Sequence, residues 1–302
     1  MLTSVPGLRS ILPGCLCLLV AFVAGAVHGQ ANDIPLTGEF VRFVQGQEEF
    51  EGELQTAIVS YRNSQGVELD LVAAVHMAEG QYYQRLNDYF STRDAVLYEL
   101  VADENVRPGG QGPTGGTGVI GFIQSSLTRM LGLSYQLDSI NYNRANFIHA
   151  DLEPAELDAI MEARGETLFS SILSLVVTEM ANSEAATGNG QSGIVGFSSE
   201  DIVRAWGASN RQGAFKHLLG QGLAFSAGSF SAADSNPGGG ITILDGRNDV
   251  ALEVLQDSLQ IPDLKKITIF YGAAHMTGLE RGILKLGFNK VAQSWLTAWH
   301  TP

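Results

Sequence analysis

The chain has 302 residues, 45% of them hydrophobic and 17% charged, with a formal net charge of −14. That length supports one large domain or two small ones with a substantial core, and the composition excludes general disorder. A balance so acidic repels phosphate backbones and anionic lipids, which excludes nucleic acid as a partner.

Residues 1–29 read as a secretory signal peptide. Arg9 is their one charged residue, an apolar run extends from about Ile11 to Ala26, and Val27 and Gly29 suit the −3 and −1 positions of a cleavage site. The alternative is an uncleaved N-terminal membrane anchor. Cys15 follows "LPG" but precedes most of the apolar run, which does not match a lipobox. Both cysteines, Cys15 and Cys17, fall in this segment, so the mature chain has none. Disulfides, thiolate metal sites and a cysteine nucleophile are thereby excluded together. Loss of Arg9 with the signal takes the formal charge from −14 to −15. No later stretch has the roughly 18 uninterrupted apolar residues of a membrane span. The expected product is exported, to the periplasm or outside the cell.

After the signal, "GEFVRFVQ" reads as a strand, and "ELQTAIVSYRNSQGVELDLVAAVH" as a hairpin turned by its polar, glycine-containing "RNSQG". "AEGQYYQRLNDYF" has helical spacing and "DAVLYELV" is a short strand of buried type. "RPGGQGPTGGTG", residues 107–118, is a loop by composition. The middle of the chain reads as mostly helical: "GFIQSSLTRMLGL", then a brief extended "NFIHADL", then "EPAELDAIMEARG", "ETLFSSILSLVVTEMANS" and "FKHLLGQGLAFSAG". "SEAATGNGQSG" and "SAADSNPGGG" read as loops. Strand and helix then alternate again. "ITILDGRNDVALEVLQDSL" leads into a helix, "DLKKITIFYGAAH" is a strand, "TGLERGILKLG" a helix and "NKVAQSWLTAW" a last strand. The expectation is an α/β domain over residues 30–302. Its mainly parallel central sheet is built from both ends of the chain and flanked by helices, with a helical insertion at about 119–225.

Two segments repeat each other: "LVAAVHM" at 71–77 and "FYGAAHM" at 270–276. Each is an apolar run, then small residues, then His-Met, ahead of a stretch with helical spacing. His76 and His275 are therefore expected at strand-to-helix junctions, the place where ligands gather in parallel sheets. Neutral imidazole ligates zinc, manganese or iron, whereas a locally hydrogen-bonded or capping histidine is the plainer reading. Glu99 in "AVLYELV" is the third candidate: a carboxylate at the end of an apolar strand needs a partner, unless it has emerged into solvent. Two histidines and a glutamate with an open position form a hydrolytic metal arrangement, for manganese, zinc or cobalt. Arg247 and Asn248 in "LDGRND" are expected where an apolar "ITIL" run breaks and a helix begins. There Arg247 would hold substrate or stabilise an oxyanion and Asn248 would cap the helix; the plainer reading of Arg247 is a salt bridge to Asp245 or Asp249. His149 and Asp151 rank lower. There is no GxSxG elbow and no GK[ST] ending to a glycine-rich loop, which leaves a serine hydrolase of that type and a nucleotide site unsupported.

In these residues the chain resembles the TraB/PrgY/GumN family, related to the Tiki metalloproteases and more distantly to erythromycin esterase and ChaN-like proteins. The carriers are "GAAH" at 272–275, "AAVH" at 73–76 with Ala73 at the glycine position, "YELV" with Glu99, and "DGRND" with Arg247 and Asn248. The resemblance spans roughly residues 50–298. It implies a metal-assisted hydrolase or peptidase with His76, Glu99 and His275 at the metal and Glu99, Arg247 and Asn248 in catalysis. The leading expectation is thus an exported metal-dependent hydrolase, peptidase-like, acting on a peptide or small molecule. The alternative is a non-catalytic peptide, haem or metal-binding protein, or a signalling inhibitor, on the same fold. A third reading is a metal-independent esterase with histidine as base.

Overall fold

A computed structural model of the chain describes residues 40–103, 106–108, 131–163, 199–234 and 242–301. The signal-peptide expectation for 1–29, the helix expected at 166–183 and most of the two glycine-rich loops lie outside the described residues, as does much of the 119–225 segment.

The fold is α/β, a mixed and mostly parallel central sheet flanked by helices. It begins with β1 (Val41–Gln45), β2 (Gly52–Arg62) and β3 (Glu68–Ala74). The β2–β3 turn is held by Asn63, whose Oδ1 accepts from the amides of Gln65 and Val67, and by Gly66 at φ +79°. Only glycine takes that conformation without strain. Next come a two-residue β4 (Met77–Ala78), α1 (Gly80–Phe90) and β5 (Ala95–Tyr98). A second two-residue strand, β6 (Ser134–Tyr135), pairs with β4 and runs into the short α2 (Gln136–Ser139). β7 (Phe147–His149), α3 (Pro154–Ala163), α4 (Ser199–Gly207), α5 (Arg211–Asp234) and α6 (Thr242–Leu259) follow. The chain closes with β8 (Lys266–Gly272), a single 3-10 turn at Ala273–His275, α7 (Met276–Lys285) and β9 (Asn289–Thr301).

Along the seven-stranded sheet the order is β1, β2, β3, β8, β5, β7, with β9 on β2 as well. β9 pairs along the whole of β2, so β1 and β3 share the opposite edge of that strand, one after the other. β1, β3 and β9 are each antiparallel to β2, while β8, β5 and β7 extend in parallel from β3. β2 is therefore the one reversed strand, and the carboxyl ends of β3, β8, β5 and β7 lie side by side.

Period-two alternation in these strands fills two cores. Val72, Val96, Tyr98 and Phe270 face one way, against Tyr82, Tyr83, Leu86 and Phe90 of α1 and Phe215 and Leu219 of α5. Leu71, Leu97, Ile267 and Ile269 face the other, against Ala251 and Leu255 of α6 and Met276, Leu279 and Ile283 of α7. With both faces covered, the strands read as near-continuous apolar runs.

Three local expectations are corrected. The helix does not wait for the end of "ITIL": from Thr242 that run is already the first turn of α6. The first four residues of "SAADSNPGGG" continue α5 to Asp234. And helix does not follow His76 directly, because β4 comes first and α1 starts only at Gly80.

Candidate functional site

Three of the predicted site residues, His76, Glu99 and His275, sit where a strand leaves the sheet. His76 comes two residues after β3, His275 three after β8 and Glu99 directly after β5. Asp151, two residues past β7, completes the row. Because β8 is inserted between β3 and β5, Glu99 is not next to the His76 strand, as a simple strand–helix–strand unit would have it. Its neighbour is β8.

That insertion explains the glycine of "GAAH". The Gly272 amide donates to Glu99 Oε2 at 2.5 Å. A Cβ on Gly272 would lie 3.1 Å from that oxygen and 3.8 Å from His76 Nε2, so both atoms line one small space beside β8. Gly272 has φ −55° and ψ 145°, values open to any residue, so a side chain there would meet crowding by Glu99 rather than a forbidden dihedral angle. Ala73, at the corresponding motif position, is a buried residue of regular strand paired with Tyr271. The register sets Ala74, not Ala73, opposite Gly272. The two His-Met motifs thus leave the sheet differently despite their likeness.

Arg247 enters from α6. Its guanidinium leaves its own helix and forks onto Asp151, Nε to Oδ1 at 2.9 Å and Nη2 to Oδ2 at 2.6 Å. Nη2 also donates to Glu99 Oε1 at 2.6 Å, and Nη1 lies 3.3 Å from His275 Nε2. The ion pairs described for Arg247 run to Glu99 and Asp151 rather than to Asp245 or Asp249, which stand two residues away on the same helix and so do not face it. Asp151, ranked low from sequence, is the main anchor of the arginine.

Asn248 does not cap a helix either. Lying inside α6, it brings Oδ1 to 2.8 Å from His275 Nδ1. An amide oxygen only accepts and a guanidinium only donates. Both neighbours therefore select one form of His275: neutral, with the proton on Nδ1 and a lone pair on Nε2. Burial pushes its pKa down to about 4, the Glu99 carboxylate opposes this and Arg247 adds to it. Burial likewise lowers His76, against Glu99 and with Arg247, while the Gln136 side chain works to raise it. Both imidazoles are neutral near pH 7.

Exposure separates the roles. His275, Glu99, Asp151, Arg247 and Asn248 are all buried, Arg247 to 2% exposure, whereas His76 keeps part of its surface accessible. Arg247 and Asn248 hold other site residues in place: Arg247 binds Asp151 and Glu99, and Asn248 binds His275. Around His76, the Gln136 amide donates to the His76 carbonyl at 2.9 Å, and Gln136 Nε2 donates to the Tyr142 hydroxyl at 2.9 Å. Tyr83 and Tyr82 of α1 donate to the carbonyls of Val75 at 3.0 Å and Ala73 at 3.2 Å, clamping the end of β3. Sequence reasoning missed these four. The adjacent tyrosines in "GQYYQRL" were the available signal, since a buried hydroxyl needs a partner. His149 is a local structural residue, its Nε2 2.6 Å from the Leu100 carbonyl.

The donor set does not fit a metal as it is arranged. Glu99 gives one oxygen to Arg247 and the other to the Gly272 amide, and the Nε2 lone pair of His275 faces Nη1 of the same arginine. Among the described residues, no group of three or more His, Cys, Asp or Glu is set to hold an ion. Among them, too, no helix is long and apolar enough to cross a membrane.

Compared with protein-family models, curated proteins and solved structures, the chain finds no match.

Proposed function

We propose that the mature chain is an exported hydrolase of the TraB/GumN type, cleaving a peptide or small ester at this strand edge. The observation that carries the reading is the meeting of two neutral histidines with a buried Glu99–Arg247 contact at the carboxyl ends of β3, β8 and β5. In this reading His76, which keeps part of its surface accessible, transfers the proton. Water attacks the scissile carbonyl carbon, its proton passes to His76, and negative charge develops on the carbonyl oxygen. Collapse expels the leaving group, which takes the proton back from His76. Glu99 and Arg247 fix the field around His76, Asp151 anchors Arg247, and Asn248 holds His275 beside it. In this reading the sheet is assembled from both ends of the chain, with the middle segment inserted between them.

The test is hydrolysis of a panel of chromogenic esters and peptides by the mature chain and its His76→Asn variant. Loss of a positioned acid–base group lowers kcat by about 100-fold or more. Equal rates in a variant with the parent's circular dichroism would overturn the reading.

A metal-dependent form of the same activity is favoured by one observation: among the described residues the cluster holds two carboxylates and a single guanidinium, one formal negative charge in excess. It requires Arg247 to release Glu99 and His275 to a divalent ion. Activity that is lost on chelation and restored by manganese, zinc or cobalt would select that form.

A further inference from the structure

The arrangement around Arg247 is that of a ligand set around a cation. His275 Nε2, Glu99 Oε1 and both oxygens of Asp151 point at one guanidinium, and His76 Nε2 borders the same small space beside Gly272 as Glu99 Oε2. Imidazole nitrogens and carboxylate oxygens are what zinc, cobalt and manganese take. We infer that Arg247 occupies the place of a divalent cation, so that the native chain binds none at this edge and replacing Arg247 opens a site for one.

Three features support the exchange. The guanidinium is anchored from one side by the Asp151 fork, so it holds its position without a substrate. Glu99 is oriented by the Gly272 amide independently of Arg247, so it stays in place when the arginine goes. His275 is held by Asn248 through Nδ1, which leaves Nε2 as the donor to whatever cation replaces the guanidinium. Such a second-sphere bond to the far ring nitrogen is what orients a metal-binding histidine. The inference concerns binding alone: it leaves the His76 acid–base reading untouched and excludes the metal-dependent form of that activity.

The experiment is equilibrium dialysis of the mature protein against cobalt, read by elemental analysis and by the visible absorption of bound cobalt. Surface histidine must be removed first: His300 lies 3.3 Å from Glu79 and 3.6 Å from Glu53, so every protein carries His300→Ala. Arg247→Ala removes the resident cation. Arg247→Ala with Asp151→Asn does so while keeping the cluster's net charge unchanged, which guards against simple loss of fold.

The expected result is no histidine-dependent cobalt in the parent and about one ion per chain in both variants, lost again when His76 and His275 are changed to Ala. Cobalt should also raise the melting temperature of the variants and leave the parent's unchanged. Stoichiometric cobalt in the parent that depends on His76 and His275 would overturn the inference. So would folded variants that take up none, or variants that stay unfolded with cobalt present, because a divalent ion should fill the vacated place.

Discussion

Gly272 and Glu99 join two strands that are 173 residues apart in the chain: the last amide of β8 donates to the first side chain beyond β5. The carboxylate lies so close to the backbone that a methyl group on Gly272 would stand 3.1 Å from Oε2. Gly272→Ala is therefore expected to lose about 1–3 kcal/mol, the usual cost of crowding a packed interior. Gly207, where a Cβ meets nothing within 4 Å, is the control. Urea midpoints of both variants check this, with Gly207→Ala equal to the parent or slightly higher.

Removing Arg247 leaves Glu99 and Asp151 buried without their shared partner. Breaking a buried pair from one side costs about 3–5 kcal/mol. Arg247→Ala in metal-free buffer should show that loss in chemical denaturation. Arg247→Ala with Asp151→Asn should lose less than the sum of the two single changes, because the residues share one fork.

Acid should weaken the fold through His275. Its folded pKa, about 4, lies below the ordinary 6.5, so an unfolded chain binds the proton first as pH falls. The stabilisation is complete above pH 6.5 and is lost progressively down to about 4, where the loss amounts to about 3 kcal/mol. Denaturation at several pH values across that window checks the slope. His275→Asn should be less stable at neutral pH and flatter across the same range.

Much of the fold could be read from local pattern. The apolar runs that became β3, β5 and β8 are buried on both faces, so each is short, continuous and bounded by polar residues. The His-Met repeats and the lone carboxylate of "YELV" located His76, His275 and Glu99 at strand ends for the same reason. What stayed hidden depends on distant partners. Nothing local shows that β8 enters between β3 and β5, or that Arg247 finds Asp151 96 residues away. "ITIL" is too short for periodicity to tell strand from buried helix, and the longer helix around it decided the matter. Gln136 and Tyr142 serve His76 from a segment with no motif at all.

Asn248 controls the charge state of His275 through one bond. Asn248→Asp would place a carboxylate where the amide oxygen now lies 2.8 Å from Nδ1, favouring the imidazolium. The His275 pKa should rise by one unit or more, read by the titration of its ring signals. Asn248→Ala should leave the ring neutral and less well fixed, with activity reduced more than stability.

The account rests on His275 being neutral, with its proton on Nδ1 and a bare Nε2 facing Arg247. The direct measurement is nitrogen-15 NMR of the histidine rings in the mature protein at pH 7, with His275→Asn to assign the signal. The expected spectrum has a protonated Nδ1 and an unprotonated Nε2 for His275, unchanged down to about pH 5. A doubly protonated ring at pH 7, or the proton on Nε2, would contradict the arrangement of Asn248, His275 and Arg247 on which the proposed chemistry stands.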